Sequence, residues 1–265
     1  MTGVVTAADL ARRLADGAAL AVDCRSEREY AAGHLPGAVH LPVGSWPYYD
    51  TSPESLGRFA ADVTDRLRAA GVDRDRPVVC YESTAGYYAA FAAWALSYLG
   101  VADAELLDGG LIGWLRESLP VTGDPVPPAA SDFVARPDPT GLATAADVAA
   151  RLYDPGVRIV DVRSHKERAG VLRRSARGGW IPGSIHIPWY ESLSVHQFEP
   201  VDVLRAHFAA HGLTPDREVV TYCQAGWRAS HTLVALRRAG FVRVRTYLGS
   251  WSEWGNRTDL PVETA

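Results

Sequence analysis

The chain is written twice. Ala21-Val22-Asp23-Cys24-Arg25-Ser26 returns as Ile159-Val160-Asp161-Val162-Arg163-Ser164, and Gly33-His34-Leu35-Pro36-Gly37-Ala38-Val39-His40-Leu41-Pro42 returns as Gly179-Trp180-Ile181-Pro182-Gly183-Ser184-Ile185-His186-Ile187-Pro188. Further on, Pro77-Val78-Val79-Cys80-Tyr81-Glu82 matches Glu218-Val219-Val220-Thr221-Tyr222-Cys223. Leu107-Asp108-Gly109-Gly110-Leu111-Ile112-Gly113-Trp114 matches Tyr247-Leu248-Gly249-Ser250-Trp251-Ser252-Glu253-Trp254. Four blocks in the same order indicate a duplication, so whatever one half folds into, the other must fold into as well.

At 265 residues the chain is comfortable for two domains of that kind. Prolines 120, 125, 127, 128, 137 and 139 crowd the stretch between the copies. They exclude regular helix and favour a stiff, extended connector. We therefore expect an N-terminal domain over 1–119, a linker over 120–140 and a C-terminal domain over 141–265. Short apolar runs lie at 19–23, 38–41, 77–81 and 104–107, and again at 157–161, 184–187, 218–222 and 243–247. They lack strict alternation, which suits strands buried on both faces. Helical patterns at 54–70, 86–99, 201–211 and 229–239 fill the gaps, and Thr6 and Thr144 stand where helix caps belong. Strands joined by helical crossovers predict an α/β fold in each half, a mainly parallel sheet flanked by helices.

A net charge of −4 gives no reason to expect nucleic acid or an anionic membrane as partner. No apolar run reaches the length of a membrane span, and the first residues lack the pattern of a secretory signal. The three cysteines, Cys24, Cys80 and Cys223, cannot all pair and lack metal-ligand spacing. Free thiols in a cytoplasmic protein are the expectation, with no metal or organic cofactor.

The chemistry concentrates at Tyr222-Cys223-Gln224-Ala225-Gly226-Trp227-Arg228-Ala229. A β-branched run delivers a cysteine to a tight turn, and a helix begins directly after it. Loop amides and the positive end of a helix favour an anion, so Cys223 is expected to react as a thiolate. Its place at the carboxyl end of a strand is where open α/β sheets build their sites. The matching residue in the first copy is Glu82. Cys24 and Cys80 fall within apolar strand patterns and are expected to be buried and inert.

These motifs resemble the rhodanese family in its tandem form, from about Thr6 to Val262. The resemblance rests on the Asp-x-Arg-Ser blocks, His34-Leu35-Pro36-Gly37-Ala38, the cysteine loop and Gly249-Ser250-Trp251-Ser252-Glu253-Trp254. It implies two rhodanese-like domains, the first non-catalytic with Glu82 in place of cysteine, the second catalytic. It implies a sulfurtransferase that takes sulfane sulfur from thiosulfate or 3-mercaptopyruvate as a persulfide on Cys223. The persulfide would be cradled by amides of Gln224, Ala225, Gly226, Trp227 and Ala229. A thiol, cyanide or a thioredoxin-like protein would then take the sulfur. The alternative is a persulfide carrier that feeds a partner protein. Four residues separate Cys223 from Arg228, one fewer than in related phosphatases, and the narrower cradle suits a sulfur atom better than a tetrahedral oxyanion.

The donor stays open, since Gln224 and Ala225 match neither the basic loop of thiosulfate enzymes nor the glycine-serine loop of mercaptopyruvate enzymes. Arg163, Lys166, Arg168, Arg173, Arg174 and Arg177 crowd a segment whose single acid is Glu167. In tandem relatives the equivalent loop holds the donor's carboxylate or sulfonate, to which arginine's planar fork is suited. Arg173 and Arg177 are the expected contacts, with Arg168 next. His34 matches a histidine near the site of mercaptopyruvate enzymes, though a structural role fits it equally. Arg228 is either a substrate contact or a brace for the loop.

Overall fold

A computed structural model describes residues 3–127 and 129–264. They form two compact units: 1–47, 57–138 and 193–198 make the first, and 48–56, 139–192 and 199–265 the second.

In the first unit, β1 (Gly3–Val5) leads to α1 (Ala7–Ala15). Thr6 caps that helix by accepting the Asp9 N–H at 3.2 Å. β2 (Leu20–Asp23), α2 (Glu27–Ala32) and β3 (Val39–His40) follow, then the long α3 (Pro53–Ala69), whose first turn counts with the second unit. β4 (Val78–Tyr81), α4 (Tyr87–Tyr98), β5 (Ala104–Leu107) and α5 (Gly110–Arg116) complete the copy. The strands pair in the order β1-β5-β4-β2-β3, every pair parallel. β2 and β4 are buried at every residue, the result of helices covering both faces. The proline-rich stretch is hydrogen-bonded along this unit. Thr122 exchanges main-chain bonds with His34, the Arg136 N–H reaches Leu99 and the Asp138 N–H reaches Tyr98.

The second copy repeats the plan. β6 (Leu142–Ala143), α6 (Ala145–Ala150), β7 (Val157–Asp161), α7 (His165–Arg168) and β8 (Ile185–His186) come first. A hairpin, β9 (Leu193–Ser194) with β10 (Gln197–Phe198), belongs to the first unit. Then come α8 (Val201–Ala210), β11 (Glu218–Tyr222), α9 (Trp227–Arg238), β12 (Val244–Tyr247) and α10 (Ser250–Trp254). The sheet order β6-β12-β11-β7-β8 is again parallel throughout. Each central strand of the second copy therefore has a counterpart in the first.

The duplicated Asp-x-Arg blocks form the same buried device twice. Arg163 grips Asp161 through Nε–Oδ1 at 2.9 Å and Nη2–Oδ2 at 2.7 Å, and also donates to the Gly179 carbonyl at 2.8 Å. Arg25 does the same with Asp23 and with the Gly33 carbonyl at 2.7 Å. His40 and His186 likewise donate from Nε2 to the Arg25 and Arg163 carbonyls, at 2.9 and 2.8 Å. A buried ion pair is costly unless its remaining hydrogen-bonding groups are satisfied, and both copies use the same Arg fork and main-chain carbonyl, with Asp161 accepting from Tyr222 and Arg168 as well. These residues build the scaffold.

Candidate active site

β11 ends at Tyr222, and Cys223 begins a turn that closes at Gly226, the cap of α9. Gly226 has φ +85°, the left-handed region that glycine adopts without strain, so the chain can reverse into the helix within three residues. Cys223 is 1% exposed at the floor of this turn. Thr221 locks the strand to the helix by donating to the Ala229 carbonyl at 3.0 Å.

A second element supports the loop. Ser250, the first residue of α10, accepts the N–H groups of Cys223 and Gly226, each at 3.1 Å, and donates to the Tyr247 carbonyl at 2.8 Å. Its hydroxyl lies 4.0 Å from the Cys223 sulfur. Ser250 holds φ +50°, an uncommon conformation for a residue with a side chain. The Trp251 and Ser252 N–H groups take the Cys223 and Gln224 carbonyls at 3.0 and 2.9 Å. The loop's carbonyls are thereby turned toward α10. The N–H groups of Gln224, Ala225, Arg228 and Ala229 have no acceptor among the described residues. Unclaimed amides at the start of a twelve-residue helix make a pocket for negative charge beside the sulfur.

Arg228 is a brace. Its guanidinium forms a two-pronged pair with Glu167, Nη1–Oε2 at 2.7 Å and Nη2–Oε1 at 2.8 Å, and it also acts on the Cys223 sulfur. Glu167 is fixed in turn by a capping box with Ser164 at the start of α7. Burial opposes the Glu167 charge, but the Arg228 fork and Ser164 outweigh it and hold the carboxyl at about 2. Sequence reasoning counted Glu167 only as an acid among arginines. The signal was there in the Ser-x-x-Glu spacing, which fixes where its carboxylate points.

The remaining expected site residues divide. Gln224 donates its amide to Ser252 Oγ at 2.8 Å and Ser175 Oγ at 3.2 Å, and reaches the Arg174 carbonyl at 3.5 Å. It ties the arginine-rich segment to the cysteine loop. Arg173 and Arg174 are exposed there, and their guanidinium groups make no ion pair or hydrogen bond among the described residues. Ala225 and Trp227 are partly exposed on the loop.

Arg177 is bound up in main-chain contacts. It donates to the Gly255, Leu260, Trp254 and Arg257 carbonyls, closing the end of α10. Arg168 is likewise engaged, with the Ser184 carbonyl at 2.9 Å and hydroxyl at 3.1 Å, and it stacks over Trp180 at 4.4 Å. His34 is fully buried in the first unit, with Nδ1 2.9 Å from the Tyr30 carbonyl and Nε2 3.1 Å from that of Asp124. Neither ring nitrogen is left for a ligand. Composition and motif position suggested these three; each has its polar groups engaged within the protein.

Cys24 and Cys80 are buried and unpaired, and burial pushes the Cys24 thiol up, away from reactivity. Among the described residues no group of three or more His, Cys, Asp or Glu could hold a metal ion. No helix among the described residues is long and apolar enough to cross a membrane.

The model of the rhodanese-like domain matches residues 6–117 and again 144–257. The chain belongs to the rhodanese family. Among its relatives, the thiosulfate sulfurtransferase of Azotobacter vinelandii is 31% identical over 98% of this chain and 96% of its own. The 3-mercaptopyruvate sulfurtransferase of Escherichia coli K12 is 31% identical over 89% of this chain and 85% of its own. A crystal structure of the Escherichia coli 3-mercaptopyruvate enzyme SseA superposes with a TM-score of 0.82 at 27% identity, covering 95% of this rhodanese and 99% of that chain. Relatives with two different donors match this rhodanese equally well, so overall similarity does not choose between them.

Proposed function

We propose that this rhodanese, a sulfurtransferase of the thiosulfate or 3-mercaptopyruvate kind, carries sulfur as a persulfide on Cys223. The observation behind this reading is the pairing of the Cys223 sulfur with loop amides that have no acceptor. The thiolate attacks the donor's terminal sulfur and forms an S–S bond. With thiosulfate, the old S–S bond breaks and sulfite departs with the electron pair. With 3-mercaptopyruvate, the C–S bond breaks and the enolate of pyruvate leaves and takes up a proton. The outer sulfur of the persulfide then sits over the amides of Gln224, Ala225, Arg228 and Ala229. A thiol or cyanide attacks it and returns Cys223 to the thiolate.

Arg173 and Arg174 supply the positive charge for the donor's carboxylate or sulfonate. They are the arginines of the segment without a side-chain partner among the described residues, and Gln224 tethers that segment to the loop. Incubation with each donor and intact-mass measurement tests the mechanism. The expected result is a gain of one sulfur, about 32 Da, that is absent in Cys223→Ser. Equal loading of the serine variant, or no loading from either donor, overturns it. The donor that loads at lower concentration is the preferred one.

A further inference from the structure

The first copy keeps the architecture of the site but reverses its charge. Gly86, the cap of α4, lies four residues beyond Glu82, whereas Gly226 lies three beyond Cys223. The first copy's loop is thus one residue longer, and by helix position Ala85-Gly86-Tyr87-Tyr88 corresponds to Ala225-Gly226-Trp227-Arg228, with Gly86 at φ −97° where Gly226 has φ +85°. By position on the helix, Tyr88 replaces the bracing arginine. Glu82 Oε1 accepts the Tyr88 N–H at 2.9 Å and the Ala89 N–H at 3.4 Å. These amides correspond to those of Arg228 and Ala229, so the first copy fills its anion pocket with its own carboxylate.

A cavity of about 570 Å³ opens over this carboxylate, entirely within the first unit. Its walls include Glu27, Glu29, Glu82, Ser83 and the Tyr88 ring. The one cation in the wall, Arg25, is already paired with Asp23 and bonded to the Gly33 carbonyl. Glu29 is the counterpart of Glu167. It occupies the same place in the same capping box, with Ser26 in place of Ser164. In the second copy that position holds a guanidinium in two hydrogen bonds; in the first, no arginine or lysine pairs with it among the described residues. Burial raises the Glu82 carboxyl to about 7 against the pull of the two amides, and the Glu29 charge adds to the rise. A second carboxylate near Glu29, an aromatic wall and a missing cation together describe a receptor for positive charge.

We propose that this cavity binds a small organic cation, whose guanidinium or ammonium head takes between Glu29 and Glu82 the place Arg228 takes against Glu167. The ligand supplies the cation that the second copy supplies from Arg228. The site is independent of sulfur loading on Cys223.

The full chain, titrated with methylguanidinium chloride and separately with methylammonium chloride, tests this through its amide nitrogen–proton spectrum. The expected result is saturable movement of the Tyr88 and Ala89 resonances, none across Cys223–Ala229, and none with matched potassium chloride. The cation that saturates at lower concentration identifies the head group. Glu29→Gln should weaken binding about tenfold or more. Tyr88→Arg, which tethers a guanidinium within reach of Glu29, should abolish it. Both variants should still load sulfur on Cys223, which also shows that they fold. Shifts without saturation, saturation unchanged in both variants, or movement centred on the Cys223 loop would overturn the proposal.

Discussion

The two copies share a sheet order, a buried Asp–Arg pair and a capping box, yet only one presents a cysteine to its loop. In the second copy the anion pocket is left open beside Cys223 and braced by an arginine–glutamate pair. In the first it is closed by Glu82, and the arginine is gone. Retained features are therefore those the sheet needs, and divergent ones lie in the few residues after a central strand. Chemistry in this fold can be removed or reversed without disturbing the frame, because the frame's polar groups are satisfied beneath the loop.

The sharpest way to break this contrast is at the sulfur. Cys223→Ser should lower thiocyanate formation from cyanide by more than about a thousandfold, while Cys24→Ser and Cys80→Ser should retain turnover within a few-fold when folded. Comparable losses in all three would erase the distinction between the copies.

Next in size is the brace. Arg228→Ala and Glu167→Gln should each reduce kcat/KM by about 10–100-fold by letting the loop shift. The double variant should lose little more than either single one, which a double-mutant cycle measures. The pair also has a pH signature. The folded Glu167 carboxyl lies at about 2, below its ordinary 4.5, so its stabilisation is complete above pH 4.5 and disappears as pH falls through 2. Acid unfolding of Glu167→Gln should lack that component.

Smaller effects should separate the arginines. Arg173→Ala or Arg174→Ala should raise the donor KM about tenfold, the loss of a charge-assisted hydrogen bond. Arg177→Ala should instead lower Tm with the donor KM unchanged, because its partners are carbonyls at the end of α10. A KM change in Arg177→Ala alone would return donor binding to that residue.

The last effect is nil on turnover and visible only in stability. Glu82 has a folded value of about 7 against an ordinary 4.5, so the folded state holds its proton more tightly and stability declines as pH rises through 7. Glu82→Gln should flatten this slope and stabilise the protein at pH 8 by about 1–3 kcal/mol. Denaturant titrations at pH 5 and pH 8 would measure it. An unchanged slope would mean that Glu82 is not the buried acid of the first copy.

Most of the fold was legible in the repeated apolar runs, which mark the central strands and the long helices. The outer strands β1 and β6 were not, since three and two residues carry no readable period. The short helices α2, α5, α7 and α10 were also missed, being set by caps and tertiary contacts rather than by amphipathic pattern. At the site, the cysteine loop was legible because strand, turn and helix start are local. Which arginine is left exposed was not. Arg173 and Arg177 look alike in sequence, and only the path of the chain puts carbonyls around one and leaves the other exposed. The extra residue in the first loop was equally hidden, because ungapped alignment pairs Tyr87, not Tyr88, with Arg228.

Ser250 has its counterpart in Gly110, which holds nearly the same conformation at φ +55°. A Cβ built on Gly110 would collide with the Glu82 carbonyl and with the Thr84 main chain. Restoring a cysteine at position 82 would thus not revive the first copy. A serine at position 110, the counterpart of the one that steadies the second copy's loop from below, would meet the Thr84 main chain at 2.5–2.7 Å. The first copy's loop is thus closed sterically as well as chemically: the backbone that seats Glu82 leaves no room for the side chain that supports the cysteine loop in the second copy.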